Sequence, residues 1–188
     1  MFPFRVDSEL TLALLEPRHA AELFQVTDEN RAHLRRWLPW LDGVRSEDDT
    51  LAFIQGTRAQ LAASNGFQCA ILLDGRIAGV IGHHAIDWGN RATSLGYWLA
   101  ERHQGRGAMT RSCAAFLDHA FGELGLNRLE IRCATGNERS CAIPERLGFR
   151  LEGVAREPEW LYDHFVDHRI YAILAREWRG TARPGAER

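Results

Sequence analysis

The chain has 188 residues, 45% of them hydrophobic and 26% charged, with a formal net charge of −2. That length and balance describe one globular domain of ordinary size with a real core. The near-neutral charge and the lack of any long single-sign run exclude the electrostatic footprint of a nucleic-acid or membrane-surface binder.

In chain order, Leu10–Leu15 reads as a first strand. Pro17 opens a helix through Phe24, and Arg31–Trp40 reads as a second helix stopped near Pro39. Ser46-Glu47-Asp48-Asp49 begins a third, whose acidic first turn suits the positive end of a helix dipole. The period then changes. Phe67–Leu73 and Ile77–Ala85 are short apolar runs flanking Asp74-Gly75, a hairpin signal. Ser94–Ala100 is a further strand after the turn Trp88-Gly89-Asn90-Arg91. Met109, Cys113, Phe116, Leu117, Ala120, Phe121 and Leu124 trace one face of a helix that Gly125 can end. Leu129–Ala134 is a strand, Ser140–Leu147 a short helix closed by Gly148, and Arg150–Val154 and Phe165–Leu174 close the sheet. The order gives an α/β fold with a mixed, mostly antiparallel sheet flanked by helices. No linker divides it, so residues 1–179 are expected to form one domain, with 180–188 a frayed tail by composition.

All 23 basic residues are arginine, which removes lysine as a catalytic base or Schiff-base former. Cys69, Cys113, Cys133 and Cys141 form no C-x-x-C pair, and no Cys/His cluster has zinc spacing. Reduced thiols, a cytoplasmic location and no metal are therefore expected. The N-terminus lacks a signal-peptide pattern, and no apolar run is long enough to span a bilayer. In the pair His83-His84 strand alternation lets only one ring face a cleft, and no further ligands make a metal site.

The turn Arg102-His103-Gln104-Gly105-Arg106-Gly107-Ala108 joins a predicted strand to a predicted helix. Glycines there bring backbone N–H groups close to a ligand, and the helix start adds unpaired donors and partial positive charge. Arg102 and Arg106 can add charge toward phosphates. Alone, the turn is equally well a plain β–α connection. It is not a Walker motif, which needs a lysine, nor a dinucleotide fingerprint, which needs a third glycine.

Its surroundings carry more. Ser94-Leu95-Gly96-Tyr97-Trp98-Leu99 leads into the turn, which continues through Met109 and Thr110. Asn137-Glu138-Arg139-Ser140, Glu145-Arg146-Leu147-Gly148-Phe149 and Leu151-Glu152-Gly153 follow. In these segments and their order the chain resembles the GCN5-related N-acetyltransferase (GNAT) superfamily. Within it, the chain looks like the Rim-type branch of ribosomal-protein serine and alanine N-terminal acetyltransferases, from about Leu10 to Trp178. The resemblance implies two splayed neighbouring strands with acetyl-coenzyme A in the wedge. The strand through Trp98 and Leu99 would pair with the pantetheine arm. Backbone groups from Gln104 to Met109 would hold the pyrophosphate, with Arg102, His103 and Thr110 beside them. Asn137 would touch the pantetheine region, and a backbone N–H near Leu99 would face the reacting carbonyl oxygen.

By the same resemblance Ser140 donates to the departing thiolate. By residue type it is a helix N-cap, and both readings stand. In many relatives a tyrosine serves instead, and by motif none of Tyr97, Tyr162 and Tyr171 fits that position. Glu159 matches the glutamate proposed as general base in the branch. Its other reading is an ordinary surface glutamate beside Pro158, with Glu157 and Asp163 as competitors. Asp167-x-x-x-Tyr171 reads as structural. Arg35-Arg36-Trp37-Leu38-Pro39-Trp40 can line an acceptor site or a subunit contact, though helix packing is simpler. Pro144 is costly deep in a helix, so that helix should start close to Arg139 or Ser140.

The expected activity is acetyl transfer to a primary amine, foremost the N-terminal α-amine of a ribosomal protein. The alternatives are a small-amine acetyltransferase and a non-catalytic acyl-coenzyme A module. The resemblance also implies a homodimer.

Overall fold

The computed structural model describes residues 3–179, so the expected tail over 180–188 lies outside the described residues. Eight strands form one sheet in the order β1-β2-β3-β4-β5-β6-β8-β7. They are β1 Phe4–Arg5, β2 Leu10–Leu14, β3 Phe67–Leu73, β4 Arg76–His83, β5 Ala92–Leu99, β6 Arg128–Ala134, β7 Arg150–Leu161 and β8 His164–Leu174. Only β5 and β6 pair in parallel; the other neighbours are antiparallel. The helices are α1 Ala20–Glu29, α2 Arg31–Leu34, α3 Glu47–Ala62, α4 Ala108–Gly122 and α5 Glu138–Arg146.

Local chemistry explains most element ends. Asp74 and Gly75 adopt positive φ (49° and 77°), the left-handed pair that a two-residue hairpin needs to match strand twist. Ser46 accepts from the Asp49 N–H while the Asp49 carboxylate accepts from the Ser46 N–H, a reciprocal cap that starts α3. The helix expected to run from Pro17 begins as a 3-10 turn and continues as α1 to Glu29.

Three expectations are corrected. The helix expected over Arg31–Trp40 is a single turn, α2. Trp37 and Leu38 N–H groups both reach back to the Leu34 carbonyl, and the Arg31 guanidinium holds the Leu41 and Val44 carbonyls at 2.6 and 2.7 Å, folding the segment back on itself. The short strand expected over Arg150–Val154 continues to Leu161, so Glu159 lies within it, paired with Val166. A bulge between Ala155 and Glu159 absorbs the mismatch, with Glu157 at φ 52° and its N–H bonded to the Asp167 carboxylate at 2.8 Å. Finally, the helix read over Ser140–Leu147, with a start expected close to Arg139 or Ser140, starts at Glu138 and is capped by Asn137 rather than Ser140, with Pro144 inside it.

Two apolar clusters cover the two faces. The larger joins β3–β6 and β8 to α4 and α5, with Phe116, Leu117, Leu129, Ile131 and Tyr171 at its centre. The smaller joins α1 and α3 to β3 and β4 through Leu23, Ile54, Ala70, Ile77 and Val80, with Trp98 at its edge. All four cysteines are buried and unpaired with one another. Among the described residues no helix is long and apolar enough to cross a membrane.

Candidate active site

The site begins where two strands part. β5 and β6 are in register only over Ala92–Arg128, Thr93–Leu129 and Ser94–Glu130. Past Ser94, β5 stays with β4 as far as Leu99, and β6 stays with β8 as far as Ala134. A wedge opens between them. Ala100 N–H bonds the Ala78 carbonyl. Antiparallel alternation then makes Gly79–Leu99 and Ile81–Tyr97 non-hydrogen-bonded pairs on the β4 side. The N–H and C=O groups of Tyr97 and Leu99 therefore point into the wedge, as an open strand edge offered to an extended ligand.

A 3-10 turn, Glu101–His103, follows β5, and the chain enters α4 through Gly105 and Gly107, at φ 77° and 72°. Any other residue would be strained in this left-handed conformation. Gly107 is the cap residue of α4, and the first turn closes with the Arg111 N–H donating to the Gly107 carbonyl at 3.0 Å. The N–H groups of Ala108, Met109 and Thr110 are thus the free donors of a helix start, where backbone dipoles favour an anion.

Both features open on one cavity of about 1490 Å³. Of the residues singled out in the sequence, Trp98, Leu99, His103, Gln104, Gly105, Gly107, Ala108, Met109, Thr110, Asn137 and Ser140 line it. Arg102, Arg106 and Glu159 do not. Arg102 turns instead to His103 (3.0 Å) and Glu29 (3.9 Å). Cations that sequence reasoning passed over stand in their place: Arg139 and Arg146 line the cavity from α5, and Arg146 reaches Thr110 Oγ1 at 3.4 Å. Both stand in motif segments that the sequence reading quoted without giving them a role, because α5 meets α4 only through the fold.

Gln104 is a hub. Its amide reaches His33 Nε2 at 2.8 Å and the Leu99 carbonyl at 3.4 Å, and its Oε1 accepts from Arg139 at 2.9 Å. Burial holds the His33 imidazole below its usual pKa, against the opposing pull of Glu101. The Arg36 guanidinium reaches the other ring nitrogen, Nδ1, at 2.8 Å, so two donors compete for the single acceptor of a neutral ring. The segment after α2 forms one rim: Arg36, Trp37 and Leu38 line the cavity, and the Trp37 ring covers Gly136 beyond the end of β6.

The α5 end carries the polar cluster. Asn137 Oδ1 accepts from the Ser140 N–H at 3.2 Å, so Asn137 is the cap. Ser140 is not the cap, and its hydroxyl is left for other partners. They are the Tyr97 hydroxyl (3.4 Å) and Cys133 Sγ (3.3 Å). Burial pushes the Cys133 thiol up to about 12 and the Tyr97 phenol well above its usual range, so both stay protonated at neutral pH. Tyr97, dismissed by motif, is the residue that the sequence reading missed. Its signal was alternation: Tyr97 and Leu95 share the β5 face that packs toward α4 and α5.

Glu159 stands apart, on the opposite face of the sheet from Tyr171, with its carboxylate 3.4 Å from His168 Nε2. The adjoining hairpin tip is tied to the α2 rim. The Tyr162 hydroxyl donates to the Leu38 carbonyl at 2.5 Å and accepts from the Leu41 N–H at 3.2 Å, while Arg35 stacks on its ring at 3.7 Å. Tyr171 is buried and bonds Glu145, and Asp167 braces the bulge. His83 is wholly buried, and His84 bonds Ser94 over Gly96.

An open strand edge leading to a helix start, beside arginines, suits an extended chain that ends in a pyrophosphate, which is the shape of acyl-coenzyme A. Residues 9–150 match the family described as an acetyltransferase (GNAT) domain. The chain is 38% identical over 181 residues to the putative ribosomal N-acetyltransferase YdaF of Bacillus subtilis, covering 96% of this chain and 99% of that one. Among solved structures, the ribosomal L7/L12 alpha-N-protein acetyltransferase RimL in complex with coenzyme A is similar, with TM-score 0.88 and 30% identity over 90% of this chain and 96% of the other. The microcin C7 self-immunity acetyltransferase MccE, in complex with acetyl-coenzyme A and AMP, gives TM-score 0.85 and 29% identity over 90% and 94%.

Proposed function

The chain belongs to the GNAT acetyltransferase family, in its Rim-type branch, and on that premise we propose that its acceptor is the N-terminal α-amine of a ribosomal protein. It is an acetyl-coenzyme A-dependent N-acetyltransferase. The observation that carries the cosubstrate reading is the parting of β5 and β6 after Ser94 and Glu130. The wedge takes the pantetheine arm along Tyr97 and Leu99, and the N–H groups of Ala108–Thr110, with Arg139 and Arg146, take the pyrophosphate.

The chain's own groups then divide the chemistry. An amine attacks a thioester only when neutral, and a free α-amino group has a pKa of roughly 8, so a single carboxylate suffices as base. The branch resemblance gives that role to Glu159, which stands beside His168 just outside the cavity lining and would act directly or through water. The Leu99 N–H, turned into the wedge, faces the carbonyl oxygen that gains charge. The Ser140 hydroxyl, released from capping by Asn137, faces the departing sulfur.

A second reading keeps this chemistry and changes the acceptor to a small amine carried on a nucleotide. It is favoured by the AMP-bound relative and by the aromatic ring of Trp98, which lines the cavity with the Trp40 ring 6.4 Å from it in centroid distance. Thiol release, measured with N-terminal peptides of ribosomal proteins and with aminoacyl nucleotides, separates the two. Turnover confined to the nucleotides would remove the protein-acceptor proposal.

A further inference from the structure

Pro144 sits inside α5, four residues after Ser140. In a regular helix the Ser140 carbonyl would accept from the N–H of residue 144, and proline has none. A partly buried carbonyl without a partner costs free energy, so its replacement partner is informative. That partner is the Tyr97 hydroxyl, which donates to the Ser140 carbonyl at 3.3 Å from across the wedge, forty-three residues away in sequence. The same phenol oxygen is 3.4 Å from Ser140 Oγ, and Cys133 Sγ lies 3.3 Å from Oγ. These are long contacts for O–H···O bonds, of the kind that tighten when a site fills. Tyr97 and Ser140 both line the cavity, one from each wall.

We propose that Tyr97 is a positioning residue for Ser140: its hydroxyl, held by the carbonyl that Pro144 leaves open, fixes the Ser140 hydroxyl in the wedge and locks the start of α5 to β5. This inference rests on the reading of Ser140 as donor to the departing sulfur. Tyr97 donates its proton to the Ser140 carbonyl, so its oxygen can only accept from Ser140 Oγ–H. When a better acceptor, an anionic sulfur, enters the wedge, Ser140 Oγ–H can turn to it without disturbing the Tyr97–carbonyl contact. Cys133 Sγ is the weaker acceptor of the two. The arrangement therefore orients one donor and prevents the serine rotamer from folding back onto the helix.

The test is a double-mutant cycle on the full chain, with kcat and KM for acetyl-coenzyme A measured in each variant. Tyr97→Phe removes one oxygen and is expected to lower kcat about tenfold while KM stays within about twofold. In the Ser140→Ala background the same change is expected to cost nothing further, because nothing remains to position. Pro144→Ala restores the helical N–H, competes for the Ser140 carbonyl, and is expected to lower kcat a few-fold only when Tyr97 is present. A Tyr97→Phe loss that multiplies with that of Ser140→Ala would overturn the proposal, as would full kcat in Tyr97→Phe beside a lowered kcat in Ser140→Ala. Full kcat in Ser140→Ala itself is a different result: it removes the donor reading first, and the proposal with it.

Discussion

The two walls of the wedge are made of different material. The β5 wall works through backbone: the open edge of Tyr97 and Leu99, two left-handed glycines, and three free N–H groups at the start of α4. The facing wall and its rim work through side chains drawn from far apart. Tyr162 meets Leu38 across 124 positions, Tyr97 meets Ser140 across 43, and Gln104 meets Arg139 across 35. A backbone site is insensitive to most side-chain exchanges and intolerant of changed φ. A side-chain site is the reverse. The first wall therefore suits the part of the reaction that does not vary, the cosubstrate, to which α5 adds Arg139, Arg146 and Ser140, and the rim from Leu38 to the Tyr162 hairpin tip suits an acceptor.

That contrast can be broken by substitution. The largest effect belongs to the acceptor face. Glu159→Gln is expected to lower kcat by roughly a hundredfold or more, the range for loss of a general base. Its KM for acetyl-coenzyme A should hold, as initial-rate kinetics will report. If KM for the cosubstrate rose instead, the division between the walls would fail.

The next effect concerns the core under the first wall. His83 packs against Phe67 at 5.2 Å and Phe116 of α4 at 5.0 Å, and its two buried ring nitrogens have no hydrogen-bond partner. Burial, helped by His119 and His84, lowers its pKa to about 3. The unfolded chain binds this proton near 6.5, and the folded one does not until about pH 3. The native state thus holds fewer protons across that window, and stability rises with pH there. The contribution is intact above about 6.5 and falls by about 1.4 kcal/mol, or tenfold in the folding equilibrium, for each unit of acidification. Urea unfolding between pH 7 and 4 measures this slope, and His83→Leu should flatten it.

Gly107→Val sharpens the comparison from the backbone side. A β-branched residue at φ 72° costs roughly 1–2 kcal/mol and pulls the α4 start out of place. Calorimetry should show coenzyme A binding weakened about tenfold or more, with kcat at saturation much less affected. The smallest effect lies at the hairpin tip. Tyr162→Phe removes the hydroxyl shared by Leu38 and Leu41, an interaction of about 1 kcal/mol, and should raise the acceptor KM a few-fold while sparing the cosubstrate.

The same contrast decides what could be read in the sequence. The glycine turn, the Asp74-Gly75 hairpin and the Ser46 cap were legible because each is fixed by neighbours within a few residues. The sheet class followed from strand order and turn signals. α2 was expected too long because its end is set by the Arg31 guanidinium reaching Leu41 and Val44, a tertiary contact. β7 was expected too short because Pro158 and the polar run before it look like a loop, whereas a bulge braced by Asp167 keeps them in the strand. Arg102 and Arg106 were expected at the phosphates by adjacency, whereas Arg139 and Arg146 line the cavity from the helix across the wedge. Tyr97 was set aside because by motif it does not fit the position of the tyrosine donor in relatives, and only the fold sets its hydroxyl beside Ser140.

The central claim is that coenzyme A is held by backbone along β5 and the start of α4. Amide hydrogen exchange, resolved residue by residue with and without coenzyme A, tests it most directly. The account predicts that the ligand slows exchange at Tyr97, Leu99, Ala108, Met109 and Thr110 and leaves the amides of the β7–β8 hairpin near Glu159 little changed. Unaltered exchange at those five amides under saturating coenzyme A, or protection concentrated on the hairpin, would contradict it.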